Sequence, residues 1–380
     1  MERCLTGDFL PAILCPQGSM KVVCISQFPD FVGGGEYSLF DLMTHLPAEV
    51  EPVLLVPAGG ELSARAEDAG IAWRVAPMPP IGPASLPTLW HWRRLMADIR
   101  PDVLHANNSR AAFYAGLIGK MMHIPVLFHC RVTEPDARLD RWLVRLVAGV
   151  IANSHATADR FSAWPGLKVW TVHNGVDVSM WHPVSKCKSE KPFGAEQMIL
   201  VVARVSRWKR HDIALDVFEH LSETMQGLHL VCVGGKEATD VAWWDVLQQR
   251  TSDLRNGDHV HWVGGVDHAA LENWYAAADV MVLPSDDEPF GRVLVEAMAM
   301  GVSIVAFDGG GVPEVVQHGK QGALLPHGDV DGMTAAVAKL LGDTEMRAAM
   351  GNAGRKRAKK FSVQAHVESM CRLYQELLHG

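Results

Sequence analysis

Short runs of β-branched and other apolar residues alternate along the chain with amphipathic stretches of helical period. In the first half, Lys21 to Ser26, Pro52 to Val56, Asp102 to Ala106, Pro125 to His129 and Gly149 to Ala152 read as strands. Glu36 to Leu46, Leu86 to Ile99 and Ala111 to Met121 read as helices between them. The second half repeats the scheme. Strands are predicted at Met198 to Val202, Leu228 to Val233, His259 to Trp262, Val280 to Leu283 and Ser303 to Ala306. Helices are predicted at His211 to Leu221, Ala269 to Ala277 and Gly291 to Met300. Such alternation builds right-handed βαβ units on a parallel sheet, so the fold class is α/β with two doubly wound domains. Between the halves, Val178 to Glu196 is rich in Pro, Lys, Ser and Glu and has no periodicity, as a linker should. The expected division is 20–178 for the first domain, 179–196 for the linker and 197–360 for the second domain. Residues 361–380 are expected to form a carboxyl-terminal helix free to return to the first domain.

Composition narrows this without changing it. A chain of 380 residues with 48% hydrophobic and 21% charged residues is ordinary globular protein, long enough for two cores. The formal net charge of −8 argues against a nucleic-acid partner, which needs a basic face. The seven cysteines are scattered, with no Cys-x-x-Cys pair, and read as reduced thiols in a cytosol-like compartment. Met1 to Ser19 lacks the pattern of a signal peptide and is expected to be a disordered extension or a misplaced start. No run approaches the roughly 20 apolar residues of a membrane span. The expected location is therefore the cytoplasm, in solution or peripheral at the inner face of the membrane. Trp90, Trp92, Arg93 and Arg94, on the predicted helix Leu86 to Ile99, are either a face for a membrane or anionic glycolipid or simply a solvated helix face.

Open parallel sheets bind ligands beyond the carboxyl ends of their strands. Glycines and polar residues gather there: Gly33 to Gly35, His105 with Asn107, His129, Arg204, Gly234 with Gly235, and Ser285 to Glu288. The richest segment runs from Asp286 to Ala297. Glu288 lies in a strand-end loop, Gly291 permits close backbone approach, and a helix follows. Unpaired N–H groups near Arg292 to Leu294 suit a phosphate. Glu296 falls about one turn inside, where a carboxylate can accept hydrogen bonds from the vicinal hydroxyls of a ribose.

Glu288 and Glu296, seven residues between them, continue into Ala297-Met298-Ala299-Met300-Gly301 and Gly310-Gly311-Val312-Pro313-Glu314. In register, these resemble glycosyltransferase family 4, retaining enzymes of the GT-B fold, in which two Rossmann-like domains with parallel sheets face a central cleft. The resemblance implies a nucleotide-sugar donor, Glu296 on the nucleotide ribose and Glu288 on the donor sugar. It implies diphosphate contacts from the backbone around Phe290, Gly291, Val293 and Leu294. Arg204 and Lys209, in Ala203-Arg204-Val205-Ser206-Arg207-Trp208-Lys209, resemble the basic pair that grips the diphosphate. Gly34 and Gly35, in Gly33-Gly34-Gly35-Glu36, resemble the glycine turn that faces donor phosphate or acceptor. Asn174-Gly175-Val176-Asp177 resembles the motif that ends the first domain. His129, in Phe128-His129-Cys130, matches the histidine beside the transferred sugar, with His105 a second candidate. Ala203, Gly35 and Ser303 depart from the usual family residues, and none removes a side chain that bonds the donor.

No Ser-His-Asp set, Cys-His nucleophile or clustered metal ligands stand out in the sequence. Asp286 and Asp287 are adjacent and do not form Asp-x-Asp. The resemblance implies that no metal or other cofactor is required, and that the leaving diphosphate helps deprotonate the acceptor. The expected activity is sugar transfer from a UDP-sugar, ahead of a GDP-sugar, to a glycan or glycolipid, as in cell-surface polysaccharide or lipopolysaccharide biosynthesis. A sugar-nucleotide 2-epimerase and a non-catalytic sugar-nucleotide-binding protein on the same fold are the alternatives.

Overall fold

The computed structural model describes residues 19–82, 85–181, 191–237 and 240–379. Residues 1–18 of the expected leader, and half of the expected linker (182–190), lie outside the described residues.

Seven parallel strands form the first sheet: β1 Met20–Ile25, β2 Val50–Val56, β3 Ala72–Val75, β4 Val103–Ala106, β5 Val126–Cys130, β6 Gly149–Ala152 and β7 Val169–Thr171. Their order is β3-β2-β1-β4-β5-β6-β7. Six parallel strands form the second: β8 Gln197–Val202, β9 Leu228–Val233, β10 Val260–Gly264, β11 Val280–Leu283, β12 Ser303–Phe307 and β13 Gly322–Leu325. Their order is β10-β9-β8-β11-β12-β13. The central strands are buried on both faces, which is why they read as unbroken apolar runs. Strands β3, β7 and β13, absent from the sequence reading, are three of the four sheet edges, where partial exposure weakens that signal; β10, the fourth, was read.

Strand order reverses beside β1 in the first sheet and beside β8 in the second. Such switch points open a crevice at the carboxyl ends of the strands. In the first sheet the segments after β1 and β4 flank it, the first ending at the helix start Gly33 to Gly35 and the second carrying Asn107. In the second the loops after β8 and β11 flank it, carrying Arg204 and Glu288.

The final helix, Val363–His379, lays Val363, Val367, Met370, Leu373 and Tyr374 into a core shared with β1 and β2. The chain thus crosses between the sheets twice. The crossings run side by side: Val176 N–H donates to the Phe361 carbonyl at 2.9 Å, and Val363 N–H to the Val176 carbonyl at 2.9 Å. Trp92 corrects one expectation. It is fully buried, its Nε1 donating to the Pro77 carbonyl at 3.0 Å, and so does not belong to an outward face with the exposed Trp90, Arg93 and Arg94.

Candidate functional site

Two helix starts meet across the cleft. The helix Gly34–Thr44 begins on Gly33, whose N–H donates to Glu36 Oε2 at 3.1 Å. The helix Arg292–Met300 begins on Gly291, at φ 84°, a left-handed conformation that glycine adopts without cost. A Cβ on Gly34 would stand 3.2 Å from Arg292 Cδ, one on Gly35 would stand 3.0 Å from Arg131 Cδ, and one on Gly33 would stand 3.8 Å from Arg204 Nη2. Three arginines from three separate segments therefore close on one glycine turn. Helix starts each carry about half a positive charge, so the junction is built to take an anion.

Acids balance this charge. Arg204 Nη1 donates to Glu237 Oε1 at 3.2 Å, and Lys209 Nζ donates to Glu288 Oε2 at 2.5 Å. Arg292 donates to the Gly175 carbonyl at 2.5 Å and to Asp41 Oδ2 at 2.8 Å, which ties the second sheet's helix to the first half. Lys209 sits on a 3-10 turn, Arg207–Lys209, ahead of the helix His211–Ser222. One detail differs from the sequence expectation. Leu294 offers no free amide, because its N–H already donates to the Gly291 carbonyl at 3.0 Å. Its side chain is buried under Gly291, where a Cβ would approach Leu294 Cδ1 to 2.8 Å. Ahead of it, Arg292 and Val293 occupy the first turn, whose N–H groups have no intrahelical acceptor. The Phe290 ring is buried in the core against His173 and Phe361, so only its backbone is available to a ligand.

The loop that carries Glu288 is held by its neighbour in the sheet. Gly311 N–H donates to the Glu288 carbonyl at 2.8 Å, and a Cβ on Gly310 would lie 2.3 Å from that oxygen. Glu314, at the end of the same motif, accepts from the backbone of His155 at 2.9 Å and Ala156 at 3.2 Å, and from His173 Nε2 at 2.8 Å. It thereby latches the second half to the first.

Glu296 is buried beneath the cleft. It accepts from His268 Nε2 at 3.1 Å and from Tyr275 Oη at 3.0 Å, while Tyr37 from the first half stacks on His268 at 4.5 Å. Burial raises its pKa, but the His268 bond and charge, Arg292 and the Tyr275 bond together outweigh it, and the net shift is downward. The carboxylate stays ionised, with lone pairs left beyond these two bonds. A depressed folded value means its contribution to stability is complete above an ordinary pKa of ~4.3 and is lost as pH falls through the lower folded value. Melting curves of wild type and Glu296→Gln, separate at neutral pH, are expected to converge in that acid range; a gap constant down to low pH would count against the ionised pair.

His129 is fully buried at the end of β5, stacked on His105 at 5.2 Å. Burial, then Arg131 and the neighbouring histidines, hold its pKa well below the ordinary value, so it is neutral. Arg131 also donates to Asn107 Oδ1 at 2.8 Å and to Asn174 Oδ1.

Of the residues expected at the site, Gly34, Gly35, Arg204, Lys209, Gly291, Val293, Glu288 and Glu296 lie on the loops and helix starts that line this junction. Arg131, Glu237, His268, Tyr275, Tyr37 and the side chain of Arg292, anticipated only for its amide, complete it. Arg131 stands two residues beyond His129 and Arg292 one beyond Gly291, so proximity to a motif was the only available signal.

Comparison with known proteins agrees with this geometry. Residues 32–180 match the family model described as Glycosyltransferase Family 4, and residues 186–357 match Glycosyl transferases group 1. The D-inositol 3-phosphate glycosyltransferase of Thermobifida fusca is 30% identical over 258 residues, 65% of this chain and 59% of the relative. Matches to three enzymes of that name cover only 56% to 59% of their length. The lipopolysaccharide core biosynthesis mannosyltransferase LpcC of Rhizobium leguminosarum is 25% identical over 317 residues, 80% of this chain and 88% of the relative. Among solved structures, HepE of Anabaena in complex with UDP and glucose superposes with a TM-score of 0.82 at 23% identity, covering 94% of this chain and 99% of HepE. The two facing sheets are the GT-B fold. With both halves matched by their family models and the acid, glycine and arginine positions converging on one cleft, the chain belongs to glycosyltransferase family 4.

Proposed function

We propose that this protein is a retaining glycosyltransferase that moves a sugar from a UDP-sugar to a glycan or glycolipid acceptor in the synthesis of a cell-surface polysaccharide or lipopolysaccharide. The observation that carries the reading is the meeting of two helix starts with Arg204, Lys209 and Arg292, a site suited to a diphosphate. The UDP and glucose held by HepE, and the name of LpcC, support the donor and the pathway class. In this reading the Arg292 and Val293 amides, Arg204 and Lys209 take up the charge that develops on the departing diphosphate. Glu296 holds the ribose, Glu288 the donor sugar, and His129 lies beside the sugar being transferred. The diphosphate replaces Glu237 and Glu288 as partner of the two cations, which frees Glu288 to accept from sugar hydroxyls. A 2-epimerase is not favoured, since the family models and named relatives are transferases.

The test is a thermal-shift screen of nucleotide sugars, repeated with candidate acceptors and followed by product analysis. UDP-sugars are expected to raise Tm, and a matched acceptor to give a new glycoside with the donor's anomeric configuration. Interconversion of free sugar nucleotides without transfer would overturn the reading. Glu296→Gln is expected to weaken UDP binding by ~1.5–3 kcal/mol, the worth of a hydrogen bond to a charged group. Equal UDP affinity of mutant and wild type in calorimetry would remove Glu296 from the ribose.

Peripheral contact with the inner face of a membrane belongs to the same proposal. Among the described residues no helix is long and apolar enough to cross one. The exposed Trp90, Arg93 and Arg94 lie on the helix Ser85–Ile99, and the exposed Arg138, Arg141, Trp142 and Arg145 on Ala137–Leu146. Both helices pack against Ser109–Met122, so the two sets belong to one layer of the first half. Apolar rings among cations suit an anionic lipid surface. Wild type is expected to sediment with anionic vesicles and Trp142→Ala to do so less; no sedimentation at low salt would refute the contact.

A further inference from the structure

Arg131, His129, His105 and Tyr374 form a hydrogen-bonded chain whose proton positions are set by chemistry alone. A guanidinium can only donate. Arg131 Nη2 stands 3.2 Å from His129 Nδ1, so that nitrogen is bare and accepts. His105 Nε2 faces the same nitrogen at 3.1 Å and therefore carries a proton. Burial, then Arg131 and His366, push the His105 pKa down to about 3, which keeps its ring neutral and its Nδ1 bare. Tyr374 Oη, 2.7 Å away and buried, donates to that Nδ1. The proton of neutral His129 has one place left, its Nε2. That atom is buried and has no hydrogen-bond partner in the protein. A buried donor without an acceptor is rare and costly in a folded protein, and points to an acceptor supplied by a ligand.

We propose that His129 meets the donor sugar as an N–H donor, its tautomer imposed from one side by Arg131 and from the other by a Tyr374–His105 relay reaching in from the last helix. The proposal rests on the reading that His129 lies beside the transferred sugar, and adds to it the sense of the contact. His129 gives a hydrogen bond to a sugar oxygen and does not take a proton from the acceptor. Arg131, His105 and Tyr374 are positioning residues. Because Tyr374 and His105 are 269 positions apart, the last helix becomes part of the donor-sugar site and not only its cover.

The test reads the histidine rings directly in the free protein labelled with 15N-histidine, His129 being assigned from the signals lost in His129→Asn. His129 is expected to be protonated at Nε2 and bare at Nδ1, and to stay so from pH 5.5 to pH 8. His105→Leu removes the donor, and is expected to broaden or split the His129 signals and to lower kcat by roughly three- to tenfold, the worth of one hydrogen bond, with donor KM little changed. In His105→Gln a side-chain amide N–H takes the place of Nε2–H, and most of the loss should be recovered. Tyr374→Phe, which keeps the core filled, should loosen the His105 tautomer and lower kcat in the same direction. A His129 ring protonated at Nδ1, or a His105→Leu variant with wild-type spectra and kcat, overturns the proposal. Unchanged turnover of His129→Ala, where the wild type shows the Nε2–H pattern, overturns instead the reading on which it rests.

Discussion

Replacing Arg204 by alanine is expected to lower kcat about 100- to 1000-fold, the usual loss when a group that stabilises transition-state charge is removed. The leaving diphosphate gains charge as the sugar departs, and a cation in a closed cleft favours that state over the ground state. Lys209→Ala should match it in rate but differ in stability. Arg204 is 37% exposed and its Glu237 partner 26%, so its loss should change Tm little. Lys209 and Glu288 are only 11% and 10% exposed, and alanine at Lys209 leaves a buried carboxylate without its partner. Lys209→Ala should therefore lower Tm, and adding Glu288→Gln should restore Tm but not kcat. The double variant Arg204→Ala/Lys209→Ala should lose less than the two single losses combined, since both cations are proposed to serve one diphosphate. Arg207, 65% exposed and 3.8 Å from Asp240, is the control and should change little. Near-normal kcat in both alanine variants, with Arg207→Ala inactive, would show that the diphosphate lies elsewhere.

Gly310→Ala is expected to damage stability and turnover together. Gly310 has φ 56°, where an L-residue costs ~1–2 kcal/mol. Its Cβ would press on the Glu288 carbonyl at 2.3 Å and its carbon at 2.9 Å, both backbone atoms that cannot swing aside. Overpacking of this kind adds ~1–3 kcal/mol. At ~2–4 °C per kcal/mol for a unit of this size, Tm should fall by roughly 4–20 °C. Relief of the clash moves the Glu288 loop, so kcat should fall even at temperatures where the variant is folded. Wild-type Tm and kcat would mean that the loop yields freely and does not position Glu288. Gly319, also at positive φ but with open space around it, serves as the comparison: Gly319→Ala should show the backbone cost alone.

How much of this was legible in the chain depends on what kind of fact each feature is. Strands β6 and β11 start and stop where the apolar runs do, because a strand buried on both faces has no polar interruption. Strand β3, mostly exposed at its edge, offers no such run. The glycine turn, Arg204, Glu288 and Glu296 could be found because each sits in a strand-end loop or helix start with a recognisable spacing. Their present partners could not. Nothing near Arg204 in sequence names Glu237, and nothing near Glu296 names Tyr275 or His268; strand order alone brings them together. Trp92 was misassigned because a tryptophan beside two arginines reads as surface, while its Nε1 finds an internal carbonyl that no local pattern foretells.

The placement of the last helix reverses the order of assembly relative to the order of synthesis. Strand β7 is complete about 190 residues before Val363 is added. At translation rates of ~5–20 residues per second, the ribosome delivers the covering helix roughly 10–40 s after the sheet it must cover. Throughout that interval the nascent first half exposes the apolar surface meant for Val363, Val367, Met370 and Tyr374. The second sheet, whose strands are consecutive, can close around its own core first. The earlier-made half is thus the later-finished one.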